Sequence, residues 1–217
     1  MCKPLIGVQS KKNALETAII MSHPNQKIMY NKIHQKKNDY FTRFAEIYNF
    51  KCAYCGVSSK FQSIDLFEID HYVCEKAFED SPAGRAEAGR AENLVFSCYA
   101  CNRNKGSLHI TEEYLNLLNP DDNSIASIFN REVDYSISIN PEYSNDAFIN
   151  SFFEKLMLGA EFRRLDYLLL ELISHEYKMR EHNVKAANEI SAKIVQILEK
   201  RNTISVTGHR ISTENNE

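Results

Sequence analysis

Four pieces of sequence, spread over 54 residues, decide how this chain folds: Cys52-Ala-Tyr-Cys55, Phe67-Glu-Ile-Asp70-His71-Tyr72, Asn93-Leu-Val-Phe96 and Cys98-Tyr-Ala-Cys101-Asn102-Arg-Asn-Lys105. Each Cys-x-x-Cys pair offers two sulfurs from one tight turn. Two such pairs complete the tetrahedron that a structural Zn²⁺ takes, through Cys52, Cys55, Cys98 and Cys101. A site closed by four thiolates has no open position, so this zinc would hold the fold and not perform chemistry. Chemistry is then expected between and just after the knuckles, from Asp70, His71, Asn93 and Asn102. The chain has six cysteines. Four fall into the knuckles, and that pattern in a reducing compartment favours metal over disulfides. Cys2 and Cys74 remain, and Cys74 reads as inert.

Between the knuckles, Phe67 to Tyr72 has a β-branched centre flanked by aromatics, which predicts a strand with Asp70 and His71 at its end. Asn93 to Phe96 predicts a second, short strand. Residues 73–92 read as a long loop. It carries the near-repeat Gly84-Arg-Ala-Glu87 and Gly89-Arg-Ala-Glu92, a small duplication, exposed and partly helical. Asn102 would open a helix or turn that Gly106 interrupts.

Working outward, residues 1–12 read as a polar lead and 13–22 as a short helix. A longer helix is predicted from Pro24 to about Tyr48, with Lys27, Lys32, His34, Lys36, Lys37 and Arg43 on its polar face. That face is either a solvated surface or a phosphate contact, since lysine and arginine neutralise backbone charge without reading sequence. Beyond the knuckles, Thr111 is a natural N-cap for a helix to Leu118, and Asn119-Pro-Asp-Asp-Asn is turn chemistry. Ile125–Phe129 and Val133–Ile139 read as strands. Residues 146–158, 160–180 and 183–200 read as helices, the last two as a hairpin, and the tail from Asn202 as polar and loose. The predicted organisation is α+β. A helical segment (1–48) precedes the zinc-bearing core (49–108), a helix and strand pair (109–145), a helical region (146–201) and the tail (202–217).

At 217 residues, 43% apolar and 25% charged, the chain can bury a core of one domain or slightly more. It has no run of 18 apolar residues and no apolar stretch of signal-peptide length at its start, so no membrane span is expected and a cytoplasmic location is. The net charge of −3 hides an asymmetry. Residues 1–65 carry 10 Lys and Arg against 4 Asp and Glu; residues 66–217 carry 16 against 25. A front half of +6 beside a back half of −9 fits local contact with phosphate.

Taken one by one these residues are unspecific. In this order and spacing they resemble the HNH endonuclease family, in its zinc-bearing branch, over about residues 50–108. The resemblance implies a ββα-metal fold: strand, long loop, strand and helix around one catalytic Mg²⁺ or Mn²⁺. It implies His71 as the general base, a role that suits a group titrating near the working pH. It implies Asp70 as a ligand of the catalytic ion and Asn93 as the brace of the loop that orients the histidine. Asn102 stands where many members carry a last histidine, and it keeps an oxygen ligand that suits Mg²⁺. Arg103 and Lys105 would contact phosphates near the cut. Glu68 and His109 are further candidates.

The flanking layout also resembles the HNH subunits of prokaryotic anti-phage systems of the Septu type and of related retron effectors. These pair with an ABC-type ATPase, for which the acidic back half would be the docking surface. Alternatives to a partnered effector that cleaves DNA are the same chemistry on RNA, a zinc-ribbon adaptor without chemistry, and a restriction enzyme acting alone. An adaptor would have no reason to hold Asp70, His71 and Asn102 together, and a restriction enzyme would need a recognition domain that is not evident.

Overall fold

The computed structural model describes residues 7–122 and 124–214, with side chains through Ile204; Cys2 lies outside the described residues. The chain divides into two compact units: Met1–Asn130 with Ile139–Met157, and Arg131–Ser138 with Leu158–Glu217. The fold is α+β, with many helices and, among the described residues, two small sheets.

The first unit opens with α1 (Val8–Ser22), whose buried residues Val8, Lys12, Leu15 and Ile19 form one helical stripe. The predicted long helix over 24–48 is instead two: α2 (Tyr30–Ile33) and α3 (Asp39–Ile47). The apolar positions Ile28, Ile33, Tyr40, Phe41, Phe44 and Ile47 take regular helical spacing only from Tyr40 on, within α3. Asn38 caps α3, its side chain accepting from the Tyr40 N–H at 3.1 Å. Phe41, Phe44, Ala45 and Ile47 of α3 are buried.

Strand β1 (Phe67–His71) pairs antiparallel with β2 (Leu94–Cys98) in a register that places His71 opposite Leu94. Phe67 stacks on Phe96 at 4.9 Å, and Phe41 meets Phe96 edge-on at 5.9 Å. Truncating Phe96 to alanine would cost about 3–5 kcal/mol by the usual scale for buried aromatics. The loop between the strands holds α4 (Pro82–Ala88). Ser81 caps it, accepting from the Gly84 N–H, and Pro82 fills its first turn. Gly84 has no alternative there: a Cβ would lie 2.0 Å from the Glu79 carbonyl oxygen. Helix α5 (Tyr99–Lys105) follows β2 directly and carries Cys101, which completes the second knuckle that Cys98 opens at the end of β2. It ends at Gly106, whose φ of 52° and ψ of −130° suit glycine.

Beyond α5, α6 covers only Glu112–Leu115, and Thr111 makes no side-chain cap. Ile125–Ile128, predicted as strand, is the short helix α7. A brief apolar run does not by itself separate the two states. The strand pair is displaced to β3 (Phe129–Arg131) and β4 (Ile137–Ile139). Helix α8 (Ala147–Lys155), capped by Asp146, packs beside α5 within the same unit.

The second unit is dominated by the hairpin of α9 (Glu161–Arg180) and α10 (Val184–Glu214). The tail predicted from Asn202 continues α10 as far as Glu214. No described helix is long and apolar enough to cross a membrane.

Candidate active site

Cys52, Cys55, Cys98 and Cys101 are all buried, and their Sγ atoms lie within 4.8 Å of one another. Zn–S bonds of about 2.3 Å make a tetrahedron with edges of about 3.8 Å, the separation of the Cys55 and Cys98 sulfurs. The four thiols therefore fit one structural Zn²⁺. The first knuckle closes through Cys52 N–H to the Val57 carbonyl and Gly56 N–H to the Cys52 carbonyl. It is tied to β2 by Ala53 N–H to the Phe96 carbonyl at 2.8 Å. The second knuckle is the junction of β2 and α5. Burial pushes the Cys52 and Cys101 thiols well above their usual range. A bound cation reverses that preference by stabilising thiolate.

Glu68 and Asp70 alternate along β1 and so share a face, and both meet α5. Asn102 Nδ2 donates to Glu68 at 2.5 Å, and Arg103 pairs with Glu68 at 3.0 Å while lying 5.1 Å over the Tyr99 ring. Because a carboxylate only accepts, the amide nitrogen of Asn102 must face Glu68, which leaves its oxygen free. Asp70 accepts from the Tyr54 hydroxyl at 2.7 Å and pairs with Lys105 Nζ at 3.1 Å. Burial raises the Asp70 carboxyl above its ordinary range, opposed by Lys105 and Tyr54.

His71 ends β1. Its carbonyl accepts from Lys105 Nζ at 2.7 Å, and its ring lies on Tyr30. Burial lowers its pKa below the ordinary 6.5; Lys105 acts in the same direction and Glu75 against it. The neutral imidazole is favoured, the form that can take a proton. Asn93 sits at the far end of the loop from His71 and faces back to it. Its side chain accepts from Val73 N–H at 2.9 Å and donates to the carbonyls of Val73 and Ala88 at 3.0 and 2.8 Å.

Asp70, His71, Asn93, Asn102 and Glu68 thus gather on β1, the loop and α5. Of the expected phosphate contacts, Arg103, Lys36 and Lys37 are exposed, Lys36 donating to the Asp65 carbonyl. Lys105 is the exception. It is 0% exposed and spends its charge on Asp70, so a phosphate does not reach it. His109 is exposed. Tyr54 and Tyr30 escaped the sequence reading. Tyr54 sits inside a knuckle, where only the cysteines signal a role, and Tyr30 is distant in sequence with no motif around it.

For a catalytic divalent ion the donors fit in kind. Asp70 and Asn102 offer the oxygen ligands that Mg²⁺ and Mn²⁺ take. Asp70 also keeps lone pairs beyond those used by Tyr54 and Lys105. The thiols are the metal-ligating cluster of three or more His, Cys, Asp or Glu side chains among the described residues. An ion at Asp70 would therefore draw on Asn102, water and substrate, as magnesium commonly does. Neither a curated protein nor a solved structure matches the chain. Residues 52–108 do match a family model, that of HNH, the HNH endonuclease, and the span runs from the first knuckle through the hairpin and α5 to the close of the site.

Proposed function

We propose that this chain is a metal-dependent endonuclease that hydrolyses phosphodiester bonds in DNA, with His71 as its general base. The observation that carries the reading is His71 itself. It closes the first strand of the family-matched hairpin beside Asp70 and α5, and burial favours its neutral form. In the reaction His71 removes a proton from a water molecule as its oxygen attacks phosphorus. The bond from phosphorus to the 3′ oxygen breaks, and that oxygen takes up a proton, leaving a 3′ hydroxyl and a 5′ phosphate. Asp70 and Asn102 would hold Mg²⁺ or Mn²⁺, which supplies charge stabilisation to the pentacovalent phosphorus and the leaving oxygen. Asn93 fixes the loop that follows His71, and Lys105 neutralises Asp70. The exposed Arg103, Lys36 and Lys37 supply the phosphate contacts. Within the same proposal the chain acts in the cytoplasm as a defence effector, its acidic helices docking an ATPase. The support there is the layout of the chain and its charge asymmetry alone.

The test is cleavage of plasmid DNA and of total RNA by the purified chain, with Mg²⁺ or Mn²⁺ and with EDTA, beside His71→Ala. The expected result is EDTA-sensitive cutting of DNA that falls by about 10²–10⁴-fold in His71→Ala, with zinc content and melting temperature unchanged. Cutting of RNA alone would reassign the substrate. A His71→Ala protein that cuts like the wild type would remove His71 from the chemistry.

A further inference from the structure

Tyr30 lies outside the family-matched span, yet its ring is packed on the His71 imidazole, centroids 4.5 Å apart and planes tilted by 38°. At the C-cap of the same short helix, His34 stacks on Tyr30 at 4.7 Å and 11°, and its Nδ1 lies 2.7 Å from the Tyr30 carbonyl oxygen. The Tyr30 backbone is anchored as well, its N–H donating to the Gly89 carbonyl at 3.0 Å. That approach requires glycine: a Cβ on Gly89 would lie 2.4 Å from Ile28 Cγ2. The preceding carbonyl, that of Ala88, accepts from Asn93. One run of contacts therefore joins Asn93 to Ala88 and Gly89, Gly89 to Tyr30, and Tyr30 to the His71 ring.

The main chain around His71 is held by hydrogen bonds, from Lys105 to its carbonyl and from Tyr72 N–H to the Asn93 carbonyl at 2.7 Å. Its ring is different. Among the described residues neither ring nitrogen has a hydrogen-bond partner. The nitrogens are left for water and substrate, and the orientation of the ring must come from packing. We infer that Tyr30 is a positioning residue, whose ring face sets the orientation of the His71 imidazole for proton abstraction and makes α2 part of the active site. The contact is a face contact between two rings, so the hydroxyl of Tyr30 is dispensable and its planar π surface is not. The inference rests on the reading of His71 as general base.

The test uses the full chain carrying Tyr30→Phe, Tyr30→Leu or Tyr30→Ala, read by zinc content, by plasmid cleavage and by the NMR shifts of the His71 ring protons. A ring stacked on another shifts its protons upfield. The His71 signals should therefore stay in place in Tyr30→Phe and move downfield in Tyr30→Leu and Tyr30→Ala. Cleavage should be retained in Tyr30→Phe. In the other two, kcat should fall on the order of 10²-fold with little change in KM, the scale of loss when a reacting group is misplaced by about 1 Å. Tyr30→Leu keeps apolar bulk and guards against simple unfolding. Unmoved His71 signals in a folded Tyr30→Leu protein would overturn the inference, as would wild-type cleavage by that protein. A wild-type chain that cuts nothing would count against the nuclease reading, and the NMR shifts would still decide the role of Tyr30.

Discussion

Lys12 and Lys105 are both wholly buried, and the two are neutralised alike. Lys12 pairs with Asp121, which also accepts from the Tyr48 hydroxyl at 2.6 Å. Lys105 pairs with Asp70, which also accepts from the Tyr54 hydroxyl at 2.7 Å. Each ammonium then donates to a backbone carbonyl, Leu94 for Lys12 and His71 for Lys105. Those two residues face each other across the end of the hairpin. One lysine–aspartate–tyrosine cluster thus fastens each strand at the same rung. The difference lies in what stands beside each. Around Lys12 are the rings of Phe44 and Tyr48, an apolar packing that has nothing to react with. Around Lys105 are His71 and the carboxylate proposed to hold the catalytic ion. The same charge-neutralising unit serves as a bolt in one place and as the floor of a site in the other.

The largest expected effect comes from removing one partner of each pair. Asp121→Asn strands Lys12, and Asp70→Asn strands Lys105; each should cost about 3–5 kcal/mol in urea unfolding, the scale for breaking a buried ion pair. Under conditions where both variants remain folded, Asp121→Asn should cut DNA like the wild type per folded molecule, and Asp70→Asn should not cut. Loss of cutting in a folded Asp121→Asn protein would erase the distinction between the two clusters.

Both lysines show what a sequence conveys and what it hides. The cysteine spacing announced the zinc cluster, because two knuckles have few other uses, and the strand pair was plain from its β-branched and aromatic residues. Burial of a lysine is a property of the face it occupies, and charge alone suggests the opposite. The signals were nonetheless present. Lys105 stands four residues after Cys101, on the same helical face, so a thiol turned to the metal carries the lysine inward with it. Lys12 stands in register with Val8, Leu15 and Ile19, an apolar stripe interrupted by one charge. Tyr30 gave no such signal. Its place on His71 depends on a glycine 59 positions later admitting the chain, and no local pattern encodes that. Helix α7 stands where the sequence suggests a strand because five apolar-rich residues are too few to show a period.

A smaller effect should separate the tyrosines. Tyr48→Phe and Tyr54→Phe each delete a hydrogen bond to a carboxylate and should each cost about 1.5–3 kcal/mol. Since the ring remains, neither should open a cavity. Tyr54→Phe removes one of the bonds that hold Asp70, so it should also slow cleavage, read as kcat on plasmid DNA, while Tyr48→Phe should not. Equal kcat values in the two variants would show that Lys105 alone holds Asp70 in place.

The smallest effect is the most discriminating, because it reads the charge felt by His71 rather than stability or turnover. Burial, with Lys105 adding to it, holds the pKa of His71 below 6.5. A lowered pKa means that the neutral base persists to lower pH. If proton abstraction by His71 limits the rate, the acid limb of the kcat profile should therefore fall below pH 6.5. Lys105→Met removes the nearby positive charge that disfavours imidazolium, so the limb should move to higher pH. Lys12→Met deletes the matching lysine of the other cluster, which is not among the groups that shift His71, so it should lower stability and leave the limb in place. Profiles that moved together would mean that His71 senses the loss of hairpin order and not the charge of Lys105, and the likeness between the two clusters would then extend to function as well as to structure.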